Sequence, residues 1–134
     1  MPSVPPSLIK ILYVEDEPDI QTIAELALVT LGGFQLKSCA SGGEALDAVS
    51  GFAPDLILLD VMMPGMDGIA TLGALRANPA TAKVPVVFMT ARSQPAEIAR
   101  YRSLGALDVI TKPFDPLVLA DQVRSIWQRA HVEP

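Results

Sequence analysis

The sequence predicts a doubly wound α/β domain, a five-stranded parallel sheet with helices on both faces. Three observations carry that expectation. Short apolar blocks rich in β-formers alternate five times with stretches of helical spacing, and only a few residues separate them. The block Leu56–Leu59 is apolar without interruption, as a strand covered on both faces must be. Length agrees, since 134 residues fit one domain, which at this size buries about two-thirds of its unfolded surface.

Ile9, Ile11, Leu12, Tyr13 and Val14 form the first block, which stops at Glu15, Asp16, Glu17 and Pro18 and so reads as a strand running into a loop. From Asp19 the spacing turns helical, with Ile20, Ile23, Ala24, Ala27 and Leu31 on one face until Gly32 and Gly33. Phe34–Cys39 is a weaker second strand. Ser41 with Glu44 three residues later is a capping-box signature for the second helix, which carries Ala45, Leu46 and Val49. Leu56–Leu59, closed by Asp60, is the central strand. Val61–Asp67 reads as a loop, and Ile69, Leu72 and Leu75 as a helix ending before Asn78 and Pro79. Pro85–Met89, ending at Thr90, is the fourth strand. Ser93 and Pro95 open a fourth helix through Ile98 and Tyr101, with Gly105 as its C-terminal cap. Val109 and Ile110 make the last strand before Lys112 and Pro113. Asp115 as cap and Pro116 as first helical residue start the closing helix, whose stripe is Leu119, Val123, Ile126 and Trp127. Residues 1–7 read as a Pro-rich tail, 8–130 as the domain and 131–134 as a second tail.

Composition narrows the function. No apolar block approaches the roughly 20 residues of a spanning helix, and MPSVPPS lacks the pattern of a secretory signal, so no membrane partner and a cytoplasmic location are expected. Cys39 is the single cysteine, which excludes an internal disulfide and a multi-thiolate metal site and suits a buried thiol. A net charge of −5 with scattered Lys and Arg offers no basic stripe for direct nucleic-acid binding.

The chemistry gathers at strand ends, where ligands bind in sheets of this kind. Glu15 and Asp16 follow the first strand, Asp60 the third, Thr90 the fourth and Lys112 the fifth. Carboxylates brought within about 4 Å repel by roughly 4 kcal/mol per pair in a protein-like medium, so a cation belongs among them. Mg²⁺ suits hard oxygen donors and completes its octahedron with water and substrate phosphate. Glu15 and Asp16 are its expected holders. Asp60 can both ligate the metal and act as a nucleophile forming an acyl phosphate. Lys112 supplies a second positive charge for phosphoryl oxygens, and the Thr90 hydroxyl a hydrogen bond.

With these residues in place, ILYVEDEPD, DLILLDVMMPGMDG, VVFMTA and ITKPFDP resemble, in order, the response-regulator receiver family of two-component signalling, over about residues 8–130. The resemblance implies a flavodoxin-like strand order 2-1-3-4-5. It also implies Asp60 as phosphoacceptor, Glu15 and Asp16 as the acidic metal pair, the Met62 carbonyl as a metal ligand, and Thr90 and Lys112 as the responding hydroxyl and lysine. A cis bond from Lys112 to Pro113 is a further implication. Two departures stand out. Val109 replaces the aromatic residue usual three positions before the lysine, which removes the ordinary aromatic relay; Tyr101 fits simple packing better than a substitute. Met62 and Arg92 occupy positions that tune phosphate loss in similar proteins, and an apolar Met62 cannot orient water, so slow self-dephosphorylation is expected.

The resemblance also implies a histidine kinase or histidine phosphotransfer protein as donor, approaching beside the first helix, and an unidentified protein target on the opposite side. Movement of Thr90 should shift the loop from Ala91 to Gln94, the helix after it, the Val109 strand and the Asp115 helix. With little sequence after the closing helix, output by protein binding is expected, and His131 reads as part of the tail. A homodimer through the last two helices has Arg100, Asp121 and Arg124 available for pairing. Of the rival readings, an aspartate-nucleophile phosphatase needs a second acid where Met62 stands. A flavin site needs phosphate-binding donors where the acidic EDEPD stands. A receiver-shaped module working without phosphate fits poorly with the retained Asp60, Thr90 and Lys112.

Overall fold

The computed structural model describes residues 7–131; apart from Ser7 and His131, the two expected tails lie outside them. Five strands, β1 (Lys10–Val14), β2 (Gln35–Cys39), β3 (Leu56–Asp60), β4 (Val86–Thr90) and β5 (Asp108–Thr111), form one parallel sheet in the order β2-β1-β3-β4-β5. Between and after them come α1 (Pro18–Glu25), α2 (Gly42–Phe52), α3 (Gly68–Ala77), α4 (Pro95–Ser103) and α5 (Leu119–Ala130). This is the predicted doubly wound, flavodoxin-like topology.

Strand alternation feeds two cores. Ile11, Tyr13, Leu56, Leu58, Val87, Met89 and Ile110 pack under α1 and α5, where Leu119, Val123, Ile126 and Trp127 answer them. Leu12, Val14, Ile57, Leu59, Val86 and Phe88 pack under α2, α3 and α4. Every residue of β3 and β4 is buried, which is why Leu56–Leu59 needs no polar alternation. The same alternation carries Glu15 and Asp60 onto the α1/α5 side of the sheet's carboxyl edge.

The first helix departs from expectation. After Glu25 it continues as a π-helix over Leu26–Leu31, whose wider turn rotates the buried face. Leu28 therefore enters the core, while Ile23 and Leu31, expected inside, are 45% and 56% exposed. The Arg124 guanidinium closes this segment by donating to the Gly32 carbonyl and lying 4.5 Å from the Phe34 ring centre. Arg124 is thus engaged within its own chain, a correction to the expectation that it is available for pairing between copies, while Asp121, 4.0 Å from it, keeps a side chain 83% exposed.

Two caps also differ. Ser41 accepts from the Glu44 N–H as predicted, but the Glu44 carboxylate reaches back to the Ala40 N–H, one residue before the box. Asp115 does not cap α5: its carboxylate accepts from the Leu117 N–H at 2.9 Å, which makes a local turn and delays the helix to Leu119. His131 closes α5 rather than starting a loose tail, with Nδ1 2.7 Å from the Trp127 carbonyl and its ring against the indole. Cys39 is buried, and burial pushes its thiol pKa up. Among the described residues, no helix is long and apolar enough to cross a membrane.

Candidate functional site

The site grows out of strand ends in register. In the parallel ladder Val14 lies beside Leu59, Asp60 beside Met89, and Thr90 beside Thr111, so the residues that follow meet at one edge. Carboxylate oxygens of Glu15, Asp16 and Asp60 all lie within 4.8 Å of one another. Lys112 reaches them from beyond β5, its Nζ 2.7 Å from Glu15 Oε1 and 3.4 Å from Asp60 Oδ2. The Lys112–Pro113 bond is cis, as the resemblance implied.

Each member is held by backbone or packing. Asp60 is 4% exposed, and its Oδ1 accepts from the Met62 N–H at 3.2 Å. Gly68, the first residue of α3, donates its N–H to the Val61 carbonyl and packs its backbone onto that of Asp60, closing the loop between them. Gln21 ties α1 to the end of β1 by donating to the Glu15 carbonyl. Burial raises the Glu15 pKa, and the neighbouring Asp60 adds to the rise against the opposing pull of Lys112. Burial acts to lower the Lys112 pKa, but the hydrogen bond to Glu15 and the charges of Asp60 and Glu15 outweigh it, and the net shift is upward.

Thr90 is buried at the adjacent strand end, where its Oγ1 accepts from the Arg92 N–H at 3.0 Å. A hydroxyl used there as acceptor keeps its proton for another partner. Ala91 and Arg92 are exposed, and the Met62 side chain, at 64% exposure, stands at the rim. Val109 is half-buried against the α2–α4 core. Tyr101 meets Phe88 edge-on at 5.3 Å between ring centres, which favours packing over a relay.

Sequence reasoning did not single out Tyr13, Gln21, Asp67 or Gly68. Asp67 caps α3 by accepting from the Ala70 N–H, and an Asp just before an apolar periodic stretch could have signalled it. No sequence signal marks the close backbone approach at Gly68.

Three carboxylates facing a single ammonium leave a negative excess, and all their donors are hard oxygens. That donor set fits a divalent cation of the Mg²⁺ type.

Together, a doubly wound sheet with acids, an ammonium and a hydroxyl at its carboxyl edge defines a signalling switch domain. The chain belongs to the response regulator receiver domain family, whose model matches residues 11–124. Members of that family are phosphoacceptor switches of two-component signalling rather than turnover enzymes. Among curated relatives, the DNA-binding response regulator MtrA of Mycolicibacterium smegmatis is 38% identical over 127 residues, covering 93% of this chain and 53% of the relative. The transcriptional regulatory protein CseB of Streptomyces avermitilis is 35% identical over 119 residues, covering 89% and 49%. The chain therefore spans about half the length of these relatives. Among solved structures, chemotaxis protein CheY4 of Vibrio cholerae superposes with a TM-score of 0.81 at 27% identity, covering 90% of this chain and 99% of that one. The signal receiver domain of a signal transduction histidine kinase from Syntrophus aciditrophicus gives 0.76 at 35% identity, covering 93% and 94%.

Proposed function

We propose that Asp60 is the phosphoacceptor of this receiver domain. The observation that carries the reading is the Asp60 carboxylate set 3.4 Å from Lys112 and within 4.8 Å of the Glu15 and Asp16 carboxylates, at the mouth of the sheet. An Asp60 oxygen attacks the phosphorus of a phosphorylated donor, the bond from phosphorus to the donor breaks, and its electron pair leaves with the donor. An acyl phosphate results.

Glu15, Asp16 and Asp60, with the Met62 carbonyl, would hold Mg²⁺, Glu15 being also bonded to Lys112 through Oε1. Bound there, Mg²⁺ supplies charge neutralisation for the transferring group. Lys112 is placed to follow the new negative charge, and the Thr90 hydroxyl to donate its proton in a hydrogen bond to a phosphoryl oxygen. Each contact made only in the phosphorylated state biases the balance between two conformations. Ala91 and Arg92, next in the chain, would pass the change to α4, and the half-buried Val109 would give way without an aromatic swing. The exposed thioether of Met62 offers an attacking water no hydrogen bond, which favours a long-lived phosphoryl group.

The donor in this reading is a histidine kinase or histidine phosphotransfer protein, the output contact a protein, and the location cytoplasmic. With a net charge of −5, the chain is suited to protein contact rather than to DNA. Self-association through α4 and α5 would draw on the exposed Arg100, since Arg124 is engaged internally.

Incubation with acetyl phosphate and Mg²⁺, followed by intact mass, tests the assignment. One added phosphoryl group, absent in Asp60→Asn, supports it; many turnovers of released phosphate would point instead to a phosphatase. Thr90→Ala should still gain the phosphoryl mass but lose at least about tenfold of the phosphorylation-dependent gain in target affinity, since a hydrogen bond to a charged group contributes about 1.5–3 kcal/mol. Titration of a captured target with both forms reads this, and an unchanged gain rejects the Thr90 relay.

A further inference from the structure

Tyr13 is fully buried, and among the described residues its hydroxyl has no hydrogen-bond partner. No other buried side-chain nitrogen or oxygen among those residues is left unpaired. Buried orphan donors are costly and rare, and phenylalanine would fill this space without the cost. The ring stands in the core under α1 and α5 beside Leu58, on the face that Glu15 and Asp60 continue two residues further along their strands. A phenol carries its proton at neutral pH, so the hydroxyl is available as a donor.

Above it, Lys112 is, among the described residues, the cation paired with both the Glu15 and Asp60 carboxylates. Its ammonium sits 2.7 Å from Glu15 and 3.4 Å from Asp60. When phosphoryl oxygens draw that ammonium toward Asp60, Glu15, only 1% exposed, cannot turn to bulk water for a replacement. The unphosphorylated state thus has an idle buried donor, and in the phosphorylated state the Glu15 carboxylate keeps the Glu17 N–H at 3.4 Å on Oε2 but loses the charged donor at Oε1.

We propose that Tyr13 is a positioning residue whose hydroxyl takes over the Glu15 carboxylate when Lys112 moves to the phosphoryl group. The inference rests on the reading of Asp60 as phosphoacceptor. No proton is transferred; one hydrogen bond replaces another, and the phosphorylated conformation is selectively favoured. Tyr13 is then a latent part of the switch, unused at rest and engaged on activation.

The test compares wild type with Tyr13→Phe, each with and without acetyl phosphate and Mg²⁺, by intact mass and thermal melting. Unphosphorylated Tyr13→Phe should melt at or above the wild-type temperature. The change in melting temperature on phosphorylation should be less favourable by about 5–10 °C than in wild type, as expected for one hydrogen bond to a charged acceptor. Near-UV absorbance provides a second readout. Phosphorylation should shift a tyrosine band to longer wavelength in wild type and in Tyr101→Phe, but not in Tyr13→Phe.

An equal change on phosphorylation in wild type and Tyr13→Phe overturns the proposal, as does an equal loss of stability in both forms of the variant. Absence of any added phosphoryl mass on wild type overturns the Asp60 assignment and this inference with it. Normal uptake with an unaltered increment overturns the role of Tyr13 alone.

Discussion

Gly68→Ala should lower stability by about 3 kcal/mol, a fall of roughly 10 °C in melting temperature for a domain of this size. A Cβ at position 68 would stand 2.4 Å from the Asp60 carbonyl oxygen and 2.7 Å from the Val61 Cα. Both are backbone atoms of the central strand and its exit, so no rotamer change can relieve the clash. The first turn of α3 would have to move away, breaking the Gly68 N–H bond to the Val61 carbonyl and loosening the loop that carries Met62. Phosphoryl uptake at Asp60 should fall with it. Gly73, in the same helix, has nothing within 4 Å of its hypothetical Cβ. There alanine should be neutral to stabilising by about 0.5–1 kcal/mol through helix propensity. Melting curves of the two variants side by side check the argument; equal and small effects would show that backbone contact at Gly68 does not hold the site.

The contrast between those two glycines shows how legible this protein was in its sequence. Strands could be read because burial on both faces leaves a compositional mark, as in Leu56–Leu59, and Glu15 and Asp60 each follow such a block, whereas the shorter β5 before Lys112 is only partly buried. Three-dimensional approach leaves no such mark. Nothing local distinguishes Gly68 from Gly73, and the Lys112–Glu15 bond joins residues 97 positions apart. Helix ends were missed where a competing local bond won. Asp115 carries the chemistry of a cap, but its carboxylate serves Leu117 and makes a turn instead. The π-helical turn at Leu26–Leu31 was hidden because Ala24 and Ala27 are buried as ordinary helical spacing expects, and because Leu28, which that spacing leaves off the stripe, is as apolar as the Ile23 and Leu31 now at the surface. The hydroxyl of Tyr13 was hidden for another reason: its ring alone fully accounts for its place in a β-block.

Lys112→Met is expected to cost about 3 kcal/mol at neutral pH without divalent cations, because it leaves Glu15 and Asp60 buried beside one another with no counter-charge. The pH dependence of that cost follows from the shifts in the site. The lysine has a folded pKa above its ordinary 10.5. Its contribution is therefore fully present below about pH 10.5 and is lost as pH rises through the higher folded value, where the neutral amine no longer answers the carboxylates. Toward acid, Glu15, its pKa raised chiefly by burial, takes up a proton at a higher pH than an ordinary carboxyl. The methionine variant then recovers, since the acid it left unpaired becomes neutral. The stability gap between wild type and Lys112→Met should accordingly be widest near neutrality and narrow at both ends. Denaturant melts in a chelating buffer from about pH 4 to about pH 12 measure it. A gap that stays constant across that range would mean that methionine is penalised for its shape rather than its missing charge, and that Lys112 does not electrostatically hold the two carboxylates together. If the gap does narrow at both ends, the pairing is electrostatic and movable, which is what a switch needs: an ammonium bound tightly enough to set the resting state, yet free to follow a larger negative charge when one arrives on Asp60.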